Sequence, residues 1–295
     1  YSFYDASMTP KIVGGVLAIA FLICIFGGGK QISKVTGVLV PVMGVFYIAV
    51  SLFIVITHIN LVPGMIADIV KGAFDFKAIF GGFAGSAIMQ GIKRGLFSNE
   101  AGVGSAPNAA ASAGVSHPAK QGLVQMLSVY IDTIVICTAT AFMLLCSGVE
   151  PSKEIAGMSY VQAAVANSLG GFGTIFITVA LCLFAFTTLI GNFYYAEMGL
   201  GYICNKTPGS TLIHAFRILA AVIVCFGATM EFSVAWDTAD VLMGLMAIIN
   251  LPVIILLAKP AILCMDDYIK QKRAGKNPVF KAADINLEDD TDFWK

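Results

Sequence analysis

Six runs of roughly twenty apolar residues, near 11–29, 36–59, 121–147, 171–198, 212–230 and 235–258, leave this chain little choice of solvent. Each is long enough to cross a hydrocarbon layer about 30 Å thick as a helix, and no soluble domain can bury all six. Composition agrees: 58% of the 295 residues are hydrophobic, 12% are charged, and the mean hydropathy is +0.84. The sequence therefore predicts an all-α polytopic membrane protein with lipid as its main neighbour. A formal net charge of zero offers nothing to nucleic acid. The seven cysteines form no CxxC pair and no metal-ligand spacing with the three histidines, so they read as small apolar residues.

A seventh span is expected over 76–96, but glycines 81, 82, 85, 91 and 95 interrupt it, and a Gly/Ala/Ser-rich stretch continues to Ala113. We expect a broken helix over 76–113 inside a transmembrane domain of 1–258, followed by a cytoplasmic tail, 259–295. The first residue is Tyr1 and no leader-like segment opens the chain, so the sequence reads as the C-terminal portion of a longer protein. Counting seven spans back from a cytoplasmic tail places 14 of the 18 basic residues inside, with Lys11, Lys71, Lys77 and Lys153 outside. This is the asymmetry the positive-inside rule requires. Short surface helices are expected at 60–75 and 151–170, the second long enough to close over the outer mouth as a lid. The tail mixes KQKR with later acids and reads as a solvated segment, a lipid-headgroup contact of its basic half being the lesser reading.

Phe80-Gly81-Gly82-Phe83-Ala84-Gly85-Ser86 is the candidate break. Irregular backbone at membrane depth survives only where it is buried in protein or lines a cavity. Half-helix ends there can offer amides to an anion and carbonyls to a cation. Ser86 brings a hydroxyl and Phe83 a cover. The competing reading is close helix packing through Gly81-xxx-Gly85 and Gly91-xxx-Gly95, which the glycine spacing alone favours; the clustering of the glycines and the polar run from Arg94 to Ser105 bring the two readings level.

Thr187-Thr188 is a second candidate, because sodium prefers oxygen ligands and two adjacent hydroxyls plus the carbonyl of Phe184 would suit it. Against this, membrane threonines often bond back to a carbonyl one turn earlier. Asp132, the deepest acid, is either a proton carrier or a hydrogen-bond acceptor locking helices together. Asp237 and Asp240, beside Trp236, read as solvated acids at an aromatic anchor. Glu197 is placed to pair with a basic loop residue. Arg94 and Glu100 flank LFSN at the expected cytoplasmic end of the broken helix, either as an inner gate or as an interfacial salt bridge. His58, His117 and His214 read as solvated or capping residues. No HExxH, GxSxG or paired catalytic carboxylate lies at membrane depth, which argues against an enzyme.

RGLFSNEAGVGSAPNAAASA at 94–113 and HPAKQGLVQMLSVYIDT at 117–133, with GGGKQISKVTGVLVPVM at 27–43 and NPVF at 277–280, resemble the alanine or glycine:cation symporter family. That family is similar to the wider leucine-transporter-like superfamily. The resemblance implies a fold of two inverted five-helix repeats, of which about seven helices here correspond to the fourth to tenth. It implies a small amino acid, alanine or glycine, held at Phe83, Gly85, Ser86 and Ala87. It also implies a co-transported sodium ion at Phe184, Thr187 and Thr188, and a site completed by helices that precede this sequence. Proton coupling through Asp132, or a membrane receptor or subunit that does not transport, are the alternatives.

Overall fold

The computed structural model describes residues 8–74, 85–150, 152, 155, 157–204, 209–286 and 294, with side chains for all of these but Lys30 and 85–90. Ten α-helices follow in chain order among them: α1 Thr9–Phe26, α2 Gly28–Thr57, α3 Val62–Ala73, α4 Gly85–Asn99, α5 Ala106–Ala110, α6 Pro118–Tyr130, α7 Thr138–Leu145, α8 Met158–Ile203, α9 Ser210–Gly227 and α10 Phe232–Arg273. A π-helical turn, Ile131–Cys137, joins α6 to α7. Six stretches are long and apolar enough to cross a membrane: Thr9–Phe26, Gln31–Thr57, Pro118–Leu145, Met158–Ile203, Ser210–Gly227 and Phe232–Arg273. These are the six apolar runs of the sequence. The expected seventh falls partly on residues 75–84, outside the described residues, and its later part is α4.

The chain divides into two compact units. The first comprises the described parts of Tyr1–Ile92 and Thr133–Ala235, the second those of Lys93–Asp132 and Trp236–Lys295. In the first, α2, α7 and α8 meet around Tyr47, Ile54, Met143, Val165, Phe176 and Ile177. A second cluster, with Phe21, Ile25, Ile190, Phe193 and Ala221, joins α1, α8 and α9. Lipid is as apolar as these side chains, so packing and interhelical hydrogen bonds hold such helices together. Tyr47 and Thr140 hydroxyls lie 2.8 Å apart, and Gly14 lets α1 approach α9 so closely that a Cβ there would stand 2.7 Å from the Ala228 Cβ.

The 46 residues of α8 are two helices joined at Gly170, whose φ of 63° and ψ of −148° interrupt the helical path. Only glycine adopts that conformation readily. The break separates the span from the expected surface helix, which folds back onto the first unit. Ala164 and Val165 are fully buried, and Asn167 Nδ2 donates to the Ser147 carbonyl at 2.8 Å.

The second unit is strung along α10. Arg94 pairs with Asp240, Asn250 Nδ2 donates to the Gly102 carbonyl at 3.0 Å, and His117 meets Asp267. The tail closes the far end: Ser116 Oγ donates to the Pro278 carbonyl, Phe280 N–H to the Ser116 carbonyl, and Lys120 Nζ to Asn277. At about 1.5 Å per residue, Asp240 and Asp267 stand roughly 40 Å apart on α10. Residues 241–258 between them carry no charge. The described chain from Arg94 to His117 therefore runs alongside an uncharged apolar stretch of α10.

Candidate functional site

Of the four residues expected to hold a substrate, Phe83 lies outside the described residues. Gly85, Ser86 and Ala87 form the helical start of α4. Their side chains are not among those described, so the Gly81–Ser86 break stands as an expectation.

Thr187 is described fully. It is buried in α8, and its hydroxyl lies 3.0 Å from the carbonyl oxygens of both Leu183 and Phe184. That is the back-bonded geometry of a membrane threonine. It also places two carbonyl oxygens 3.0 Å from that hydroxyl in a largely apolar span. Thr188, about 100° further round the helix, is exposed while Phe184 is half-buried. The described residues contain no group of three or more His, Cys, Asp or Glu able to hold a metal, so a cation here depends on hydroxyl and carbonyl oxygen.

Asp132 lies in the first turn of the π-helical segment, and its Oδ2 accepts a 2.6 Å hydrogen bond from the Ser98 hydroxyl. A carboxylate in the middle of a 28-residue apolar helix next to a widened turn is an expensive arrangement. Among the described residues no basic side chain forms an ion pair with it.

Arg94 and Glu100 do not pair with each other. Glu100 accepts from Ser105 Oγ at 2.6 Å, whereas Arg94 Nη2 donates to Asp240 Oδ2 at 2.8 Å, with Lys93 Nζ 3.8 Å from the same oxygen. The guanidinium lies 4.8 Å from the ring centre of Trp236, which stacks on Phe97 at 5.0 Å. Asp240 is thus a paired acid with a side chain only 17% exposed. The expectation of a solvated Asp240 is corrected. The pair joins α4 to α10 at the end of the 241–258 run opposite the tail. Beside them is a cavity of about 140 Å³ lined by Lys93, Leu96, Phe97, Val103, Asp240 and Met243.

Glu197 does find a partner, Arg217 at 2.7 Å, but on helix α9 rather than in a loop. His117 caps α6 as expected, yet it is fully buried, not solvated. Its Nδ1 accepts from the Ala119 N–H, so Nε2 carries the hydrogen and donates to Asp267 Oδ2 at 3.2 Å. Tyr268 and Phe280 pack their rings edgewise on it.

Comparison with known proteins gives a consistent picture. The model of the sodium:alanine symporter family matches residues 3–282. The amino-acid carrier protein AlsT of Bacillus subtilis is 46% identical over 96% of this chain and 60% of its own length. The sodium/alanine symporter AgcS of Methanococcus maripaludis is 41% identical over 84% and 54% respectively. A sodium/proton-dependent alanine carrier protein of Bacillus sp. strain PS3 is 40% identical over 100% and 69%. The chain spans 60% of AlsT and 61% of the B. subtilis protein named as a probable sodium/glutamine symporter.

Proposed function

The chain belongs to the sodium:alanine symporter family, and from that premise we propose that the protein couples sodium entry to uptake of alanine or glycine across a bacterial inner membrane, with its tail in the cytoplasm. The fold we propose is the inverted-repeat, leucine-transporter-like one, these helices being its fourth to tenth. Phe83, Gly85, Ser86 and Ala87 contact the substrate, and the Phe184 carbonyl with the Thr187 and Thr188 hydroxyls ligates sodium. No covalent chemistry is required. Coupling arises when substrate and sodium bind better together than apart and the doubly occupied site favours the inward-opening state. The membrane potential adds about 2.3 kcal/mol per charge per 100 mV.

The observation that carries this reading is the buried Thr187 hydroxyl 3.0 Å from the Phe184 carbonyl, the type of hard oxygen pair a sodium ion needs in an apolar span. Radiolabelled alanine uptake into proteoliposomes, with and without an inward sodium gradient, tests it beside a Thr187→Ala, Thr188→Ala variant of the full-length protein. Sodium-driven uptake that disappears in the variant is the expected result. Uptake indifferent to sodium sinks the symport reading.

A second reading, proton coupling through Asp132, is favoured by one observation: a mid-span carboxylate whose hydrogen bond comes from the neutral hydroxyl of Ser98. Its test is the Asp132→Asn protein, whose uptake would lose its dependence on external pH. Unchanged pH dependence removes the proton.

A further inference from the structure

In the first unit, two crossing stretches finish at one level. Tyr47 meets Thr140 and Ser51 meets Met143, so α2 and α7 rise side by side, and their apolar stretches end together at Thr57 and Leu145. His58 closes α2 by turning its ring Nδ1 to the Ile54 carbonyl, 2.9 Å away. After the short turn Ile59–Leu61 comes α3, Val62–Ala73. Its 12 residues reach about 18 Å, too short to cross a bilayer and of a length common for segments lying at its surface.

The helix has two faces. Val62, Met65, Ile66, Ile69, Val70 and Ala73 recur at helical spacing along one side, while Asp68 and Lys71 stand on the other. Met65 packs against the cluster of α2, α7 and α8 that holds Ile54 and Cys146, which anchors the first turn of α3 near the level where the two stretches end. The later part of the stripe is open: Ile66, Ile69 and Val70 are 47%, 48% and 50% exposed, and Phe74 just beyond is 70% exposed. The first part of α8, packed on the same cluster, behaves differently, since its Ala164 and Val165 are fully buried against protein. The open stripe of α3 instead continues the exposed apolar surface of a membrane-crossing helix, through Phe53 and Ile56 on α2 and Ile59 and Leu61 in the turn. An apolar surface of this kind marks a place of contact, and the one continuous with it is lipid.

We propose that α3 is an in-plane helix docked on the membrane itself, with Ile66, Ile69 and Val70 sunk among the upper parts of the acyl chains and the side bearing Asp68 and Lys71 turned to water. One acid and one base leave that polar side without net charge, so the docking is apolar and takes neutral and anionic phospholipids alike. The inference needs only that the chain is a multi-pass membrane protein and holds whatever the cargo or the coupling ion.

The test places an environment-sensitive fluorescent amino acid, by stop-codon suppression, at position 66, 68, 69 or 71 of the full-length protein, one position at a time, in vesicles of phosphatidylcholine with and without phosphatidylglycerol. One quencher is a phospholipid with a nitroxide near the headgroup end of its acyl chain, the other is iodide in the water. The lipid nitroxide is expected to quench positions 66 and 69 about threefold or more above positions 68 and 71 in both kinds of vesicle, and iodide to give the reverse order. Wild-type protein supplies a check that needs no substitution: a phospholipid carrying benzophenone at the same depth should attach to Ile66, Ile69 or Val70, as read by peptide mass spectrometry. Shielding of positions 66 and 69 from both quenchers would mean that another part of the full-length protein covers the stripe. Iodide reaching them as readily as position 68 would mean that α3 stands in water. Either result overturns the proposal, as does lipid quenching confined to vesicles with phosphatidylglycerol, or no attachment of the benzophenone lipid to α3.

Discussion

Replacing Arg217 with methionine isolates what the ion pair between α8 and α9 contributes. Arg217 Nη2 and Glu197 Oε1 are 2.7 Å apart, with side chains 11% and 13% exposed, and the guanidinium lies 5.6 Å from the Phe26 ring on α1. The pair thus joins three helices at one point. Methionine keeps much of the packing against Phe26 but strands a carboxylate that water scarcely reaches, and a buried charge deprived of its partner costs roughly 3–5 kcal/mol. Glu197→Gln strands the guanidinium less severely, because an amide oxygen still accepts, and should cost about 1–2 kcal/mol. Removing both charges, Glu197→Leu with Arg217→Met, should recover most of the loss, since apolar replacements of a buried pair are often neutral or better. Thermal unfolding in detergent, followed by loss of the folded peak on size exclusion after heating, reads the order directly. Arg217→Met should melt on the order of 10 °C below wild type, with the double variant near wild type. A double variant melting as low as the single one would refute the reasoning, because the loss would then lie in packing and not in the stranded charge.

Three further substitutions probe other joints. His117→Ala removes a helix cap and a buried bond to Asp267, together about 2–3 kcal/mol, and should free the tail so that trypsin cuts after Arg273 and Lys276 roughly tenfold faster; an unchanged cleavage rate would contradict the clasp. Gly14→Ala pushes a methyl into Ala228 and should cost about 1–3 kcal/mol, with Ala228→Gly restoring the melting temperature in the double variant. Gly170→Ala strains a backbone at φ 63° by about 1–3 kcal/mol, and a melting temperature equal to wild type would show that the two parts of α8 are not held at that angle.

The membrane spans were legible because lipid imposes a length rule that a single sequence can satisfy or fail. Residues 11–29, 36–59 and 212–230 overlap α1, α2 and α9 within a few positions. Gly170 was also foreseeable, since the boundary between a half-polar surface helix and an apolar span fell on a Gly-Gly pair. Thr187 shows the limit of that logic. Its burial and its bonds to Leu183 and Phe184 follow from helix geometry, but the same geometry serves a back-bonded threonine and an ion ligand alike.

What the sequence concealed were pairings across long separations. Arg94 and Asp240 are 146 positions apart, and each taken alone resembles an interfacial charge that water would satisfy. The signal that was present is Asn250, an amide inside an uncharged run whose Nδ2 needs an acceptor. Its acceptor comes from irregular chain at the same level, the glycine-rich segment that follows α4. Gly102 and Gly104 fill that role with φ of 80° and 104°, Gly104 lying so close to Asn250 that a Cβ would stand 3.0 Å from its side chain. Once Asn250 is matched to Gly102, the register of the segment along α10 is set. Stepping back from Gly102 to Arg94 and from Asn250 to Asp240 then brings the two charges to the same level, so one half-buried amide would have sufficed to bring Arg94 to Asp240.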